Sequence, residues 1–262
     1  MKRLLAATLV AAFATYACAD SVYFVSDTGG HELYSMDLTT MNVTTVGALG
    51  IDGTNGTFGD LAYDSTNGTM YYSGGRGDEN LYTVNLTTGA ATLVGSDGQT
   101  DMFALGYDPA TNSLYGGAAD SHAFGSVSMS NGAFTFIGTA GSLYTEGLTY
   151  NSLTSQMILS SPNELFNIDV VTAGTTLIGN VGGSNDNGIT YDPVRNVYWI
   201  YNYNGNIVEQ NATTFAVIQT LSPGVGDGSS IAYVGAPAPE PASMALLGLG
   251  ALGLLRRARK SR

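Results

Sequence analysis

A short strand ending in tyrosine, or passing through it, recurs five times in this chain: LAYD from Leu61, LGYD from Leu105, LTYN from Leu148, ITYD from Ile189 and IAYV from Ile231. The tyrosines are Tyr63, Tyr107, Tyr150, Tyr191 and Tyr233, spaced 44, 43, 41 and 42 residues apart. So regular a period means one structural unit used repeatedly, and it restricts the fold more than any compositional property does. A second strand follows each of the first four: TMYYSGG from Thr69, SLYGGAA from Ser113, QMILSS from Gln156 and VYWIYN from Val197. A third reads LYTVNL from Leu81, with LFNIDV from Leu165 as its counterpart. A fourth closes on glycine, at Gly95, Gly138 and Gly179. Between third and fourth strands lie turns around Gly89 and Gly132, where glycine supplies the positive φ of a hairpin.

Four antiparallel strands in about 42 residues is the size of a β-propeller blade. The expected fold is therefore all-β: a five-bladed β-propeller of four-stranded antiparallel blades, with a signal helix before it and an apolar helix after it. The chain enters its first unit at SVYFVSD, without a first strand, and leaves SSIAYVG over near Ser229. Pairing that orphan with the N-terminal strands completes five blades, approximately 21–58 plus 229–235, 59–103, 104–146, 147–187 and 188–228, in a domain spanning 20–235. Closure removes open sheet edges and ties both ends of a chain without a disulfide. The first strand of each blade is expected nearest the axis. Its small positions, Ala62, Gly106, Thr149, Thr190 and Ala232, would let neighbouring blades turn by about 72° against large side chains. Asp64, Asp108 and Asp192 open the turns that follow and are expected to cap their backbone N–H groups.

The composition agrees: 35 glycines, 11% charged residues and 10% aromatics suit a β protein with many tight turns, not a disordered chain. The net charge is −12, and seven of the nine basic residues lie at the two ends, leaving the body only Arg76 and Arg195. Such a body repels phosphate backbones, which excludes nucleic acid as a partner, and it attracts divalent cations or cationic groups.

Both ends read as addresses. Lys2 and Arg3 precede the apolar run Leu4–Phe13, and Ala17-Cys18-Ala19 fits the small-x-small cleavage rule with the cut before Asp20. Residues 1–19 are thus expected to be a secretory signal peptide, with the Sec machinery and signal peptidase as partners. Cys18 is the only cysteine and leaves with it. A lipidated Cys18 is the rival, but Thr15 occupies the position where a lipobox wants leucine. At the other end, Pro237, Pro239 and Pro241 block helix entry until Ala242, and Ala242–Leu255 is almost wholly apolar. As a helix this run would span about 21 Å against a hydrocarbon core of about 30 Å, which makes a marginal, transient membrane anchor. Arg256, Arg257 and Arg259 form a basic stop behind it.

Pro239-Glu240-Pro241, the apolar run and the arginine cluster together resemble a PEP-CTERM sorting signal, spanning residues 236–262. The repeat body resembles YVTN/NHL-like propellers. The tail resemblance implies recognition by an exosortase-type transpeptidase, export across the inner membrane of a Gram-negative bacterium, transient anchoring, and release to the cell surface or an exopolysaccharide matrix. Exopolysaccharide is then a possible partner.

The loops entering the first strands converge on one end of the channel, the usual binding face of a propeller. They carry Asp52, Asp60, Asp97, Asp101, Glu146, Asp186 and Asp227, a candidate ring of oxygens for Ca²⁺ or a polar ligand, though none has the spacing of a known calcium loop. No other cofactor is expected. No P-loop, G-x-S-x-G elbow or H-E-x-x-H occurs. Gly248–Gly253 matches G-x-G-x-x-G but opens no βαβ unit. His31 and His122, the only histidines, are expected in solvated loops. The expectation is a non-catalytic binding or structural module for polysaccharide, protein or a divalent cation. The alternative is a glycoside hydrolase or lyase with two carboxylates about 5–9 Å apart near the axis and a raised pKa.

Overall fold

Apolar β-branched and aromatic residues alternate with small or polar ones, and Gly, Asn, Asp and Thr interrupt each run after a few residues. Backbone hydrogen bonds are therefore satisfied between short antiparallel neighbours. The computed structural model describes residues 20–28, 31–51, 58–182 and 187–235, with Asn187 by its backbone only. Ala17 and Ala19, Asp52, Asp186, Pro239, Glu240, Pro241, Arg256, Arg257, Arg259 and both expected terminal helices lie outside the described residues.

Asp20–Val234 form one unit of twenty strands in five four-stranded sheets. The chain begins with β1 (Ser21–Val25), β2 (Glu32–Asp37) and β3 (Val43–Ala48). Then come β4 (Leu61–Asp64), β5 (Thr69–Ser73), β6 (Asn80–Val84) and β7 (Ala91–Ser96), the second blade. The third holds β8 (Met102–Asp108), β9 (Ser113–Ala118), β10 (Ala123–Val127) and β11 (Phe134–Thr139). The fourth holds β12 (Gly147–Asn151), β13 (Gln156–Ser161), β14 (Glu164–Ile168) and β15 (Thr175–Asn180). The fifth holds β16 (Asn187–Asp192), β17 (Val197–Asn202), β18 (Ile207–Asn211) and β19 (Val217–Leu221). The last strand, β20 (Ser230–Val234), returns to the first blade and pairs antiparallel with β1, Phe24 opposite Ile231 and Val22 opposite Tyr233. The first sheet thus has the order β20-β1-β2-β3, and the ring closes as the leftover strand requires.

Burial falls outward across each blade. Every residue of β8 is buried, whereas β7, β11 and β15 alternate only between half-buried and exposed. The apolar core is correspondingly divided into five clusters, each at the junction of two blades. The fifth-to-first junction holds Trp199, wholly buried, with Phe24, Met36, Tyr201 and Ile231.

The small first-strand positions face the next blade, as expected. A Cβ on Gly106 would lie 2.8 Å from Leu148 Cβ. Thr149 Oγ1 accepts the Tyr191 N–H at 2.9 Å, and Thr190 Oγ1 accepts the Tyr233 N–H at 2.8 Å. These hydroxyls satisfy backbone donors that a purely apolar wedge would leave unpaired.

The glycine that ends the fourth strand has a separate cause. A Cβ on Gly95 would sit 2.0 Å from the Asn131 carbonyl oxygen, and one on Gly47 2.3 Å from that of Thr88. Each glycine is where the next blade's outer turn rests on the sheet. Just before it the register shifts by one residue, and Val46, Val94, Ile137 and Ile178 are left between paired residues; the fifth blade, without the glycine, has the same shift at Ile218. The first four pack partly buried against the core. Bulges there also break up the outer edge as a template for pairing with another chain.

Turn capping is as expected. Asp64 Oδ1 accepts N–H groups of Thr66 and Asn67 at 2.9 and 3.0 Å, Asp108 Oδ1 that of Ala110 at 2.8 Å, and Asp192 Oδ1 that of Val194 at 2.8 Å. Asp192 also holds Arg195 at 2.8 Å, and Arg195 reaches Asp20 at 3.3 Å, which ties the fifth blade to the start of the domain.

Candidate functional site

Because each first strand starts at one end of the ring, the connections between blades gather there together with the loops between second and third strands. The other two turns of each blade lie at the opposite end. The connection end therefore carries Asp60, Asp97, Asp101, Glu146 and Asp227, and also Arg76, His31 and His122.

Asp60 is fully buried. Its Oδ1 accepts the Leu61 N–H at 2.9 Å, while Oδ2 accepts the N–H groups of Leu105 at 2.9 Å and Leu148 at 3.4 Å. The backbone N–H of Ile231 also bonds to it. These four donors belong to the innermost strands of four blades, so one carboxylate sits on the axis and gathers them. Burial pushes the carboxyl well above the usual range, and the four donors pull it back. The corresponding residues of the other first strands are Ala104, Gly147, Gly188 and Ser230, all small enough to leave room for a single carboxylate.

The remaining described carboxylates do not form an open ring of oxygens. Glu146 is 1% exposed, Asp101 4% and Asp97 5%, and Asp227 is half-buried. Asp101 Oδ2 accepts the Asp120 N–H, and Asp97 Oδ1 the Gln99 N–H at 2.8 Å. Among the described residues no three of His, Cys, Asp and Glu converge on a metal position. The histidines correct a second expectation. His31 is 3% exposed, and His122 is half-buried with Nδ1 2.8 Å from the Leu143 carbonyl oxygen. Their backbone carbonyls accept the N–H groups of Leu49 and Ala140, each at 2.9 Å, so both are built into the ends of their blades.

Asp97 has the perturbed pKa that the enzymatic alternative requires. Burial pushes its carboxyl up to about 7; the Gln99 N–H opposes this, and Asp78 and Glu79 add to it. The Asp78 oxygens are taken by Asn80 at 2.5 Å and Tyr82 at 2.9 Å. The consequence is for stability. The folded state binds the Asp97 proton more tightly than an unfolded carboxyl near 3.9, so stability falls as pH rises from about 4 through about 7. Asp97→Asn is expected to flatten that slope and, at pH 8, to raise stability by about 1–2 kcal/mol. Urea unfolding at pH 5 and pH 8 checks this; an unchanged slope contradicts it.

What composition and spacing did not reveal is an aromatic group at the same end. Phe58, Phe103, Tyr144 and Tyr203 come from four separate segments, with ring centroids 5.6 Å apart for Phe58–Phe103, 5.8 Å for Phe58–Tyr203 and 5.9 Å for Phe103–Tyr144. The Arg76 guanidinium lies over Phe103 at 5.1 Å and Phe58 at 5.8 Å and donates to Tyr144 Oη at 2.9 Å. None of these residues shares a repeat position with another, so no period marks them. At the opposite end a cleft of about 570 Å³ lies beside the fourth blade, lined by Asp108, Tyr150, Gln156, Asn167 and Asp169 among others.

Beyond the ring, the tail has its own match. Residues 237–260 match the PEP-CTERM protein-sorting motif. A PEP-CTERM tail implies export, a membrane-associated sorting step and processing by an exosortase. Among the described residues no helix is long and apolar enough to cross a membrane; the apolar run of the tail lies outside them. Among solved structures, the chain is similar to one in a nidogen/laminin complex, with a TM-score of 0.58 and 10% identity over 84% of this chain and 100% of that one. It is also similar to a structural-genomics protein of unknown function from Bacteroides thetaiotaomicron, with a TM-score of 0.53 and 18% identity over 82% of this chain. It covers 62% of that protein, under two thirds of its length. At these identities the likeness is one of fold. No curated protein matches the chain.

Proposed function

We propose that this is an exported protein of a Gram-negative bacterium, sorted by an exosortase through its PEP-CTERM tail to the cell surface or an exopolysaccharide matrix. There its propeller serves as a non-catalytic binding or structural module. The supporting observation is the sorting motif at residues 237–260, joined to a closed ring whose axial carboxylate, Asp60, is spent on backbone donors. A carboxylate so engaged has no oxygen left to act as nucleophile or base on a substrate. The binding face is then the connection end, where Arg76 and Tyr203 meet solvent.

The test is cell fractionation of the chain with Pro239-Glu240-Pro241 intact or replaced by alanines, in hosts with and without an exosortase. The intact chain should reach the surface in shortened form only when the enzyme is present, and the replaced chain should stay in the membrane fraction at full length. Equal surface delivery of both would refute the sorting. Release of reducing ends from surface glycans by the purified protein, lost on replacing a connection-end carboxylate, would refute the non-catalytic role.

A further inference from the structure

We infer that the Arg76–aromatic group is a binding site for uronic-acid units of a glycan. This rests on the propeller being a binding module and names what its connection end takes.

The body has two arginines, and they are treated differently. Arg195 is held by two carboxylates, Asp192 and Asp20. Arg76 makes no ion pair with any described carboxylate, in a chain with 21 acidic residues. Opportunity is not lacking. The backbone of Arg76 pairs directly with that of Asp101, yet the Asp101 side chain turns away to cap the Asp120 N–H. Asp78, two residues from Arg76, is occupied by Asn80 and Tyr82.

The guanidinium is also fixed in place. Two phenyl faces and the Tyr144 hydroxyl hold it at the surface, and among the described residues its side chain makes one hydrogen bond, from Nη2, so Nε and Nη1 have no described side-chain partner and can meet a ligand. A planar fork held this way matches a carboxylate better than a mobile ammonium would, and an exposed, preorganised donor set is one that a ligand can meet at low entropic cost.

The rings beside it define the rest of the ligand. Tyr203 is 44% exposed and packs against Phe58, the ring under the guanidinium, so it offers an apolar face across Phe58 from the fork. Phe58 has φ 65, a conformation a bulky residue adopts only when held there, and its N–H is fixed by Asp27 Oδ1 at 3.1 Å. A pyranose ring presents C–H groups to an aromatic face while a carboxylate on that ring reaches the guanidinium. A uronic acid carries both groups on one ring. The acidic body repels long polyanions, so the ligand that fits is a glycan with isolated uronate units, not a continuous polyuronate.

The experiment is calorimetric titration of the full chain with three trisaccharides, each carrying one terminal glucuronate, galacturonate or mannuronate, and with the same three after reduction of the carboxyl. At least one uronate should bind about tenfold or more tighter than its reduced form. Arg76→Gln and Tyr203→Ala should each weaken that binding by about tenfold or more, with the thermal midpoint little changed. Tyr203 is exposed, so its variant keeps the test valid if Arg76→Gln unfolds. Absence of binding across all three uronates overturns the inference, as does equal binding of the reduced forms or binding that neither variant weakens. A chain that is sorted normally but binds no uronate refutes this site alone; failure of the sorting experiment refutes the proposed function itself.

Discussion

Asp60→Ala is expected to cost about 3–5 kcal/mol of folding stability, a third or more of what a domain of this size typically has. The thermal midpoint should fall by roughly 10–15 °C. The loss has two parts. The N–H groups of Leu61, Leu105, Leu148 and Ile231 lose their acceptor where water has little access, and a void opens on the axis. Asp60→Asn should recover only a fraction, because its amide nitrogen would bring two more donors against backbone donors. Thermal and urea denaturation of the three forms measures this. An alanine variant within about 1 kcal/mol of the parent would mean that the axial carboxylate does not hold the blades together.

Ile231→Asp is expected to be at least as severe, more than about 4 kcal/mol, because it buries an unpaired charge in the seam. Ile231 has no exposed surface, lies opposite Phe24 and packs in the cluster that contains Trp199. The seam carries its own reporter: Trp199 is the only tryptophan, and its emission should shift to the red as the seam opens. The freed edge of β1 would then present unpaired backbone groups and promote association. Ile231→Val, which keeps the apolar contact, should cost only about 0.5–1.5 kcal/mol. Similar losses for the two variants would place Ile231 outside a buried seam.

The ring was legible because packing imposes it on the sequence. Tyr63, Tyr107, Tyr150, Tyr191 and Tyr233 occupy equivalent places in five wedges, and the wedges must be nearly equal for the circle to close. The marks fade outward. AFGSV in β10 lacks the leading leucine of LYTVNL, and VIQTL in β19 lacks the terminal glycine. The carboxylates of the connection end were visible, but their roles were not. Asp60, Asp97 and Asp101 look alike in Gly-rich loops; only register separates the one that precedes Leu61 and meets four inner strands from Asp97, which caps its own turn, and Asp101, which caps the N–H of Asp120. Aligning the repeats shows one carboxylate among Ala104, Gly147, Gly188 and Ser230, which is the signal that finds it. The aromatic group had no such signal, because four segments at unrelated repeat positions come together only after the ring has formed.

Closure of the ring can be tested with one engineered bond. Ser21 and Val234 stand directly opposite each other at the end of the β1–β20 ladder, and facing residues in such a pair have Cα atoms about 4.5–5.5 Å apart, within reach of a disulfide. In a chain carrying Cys18→Ser, the pair Ser21→Cys and Val234→Cys should oxidise to an intramolecular bond with Trp199 still buried, and should raise the thermal midpoint by several degrees. Thiols that stay free, or that link only different molecules, would show that the two ends of the domain do not meet.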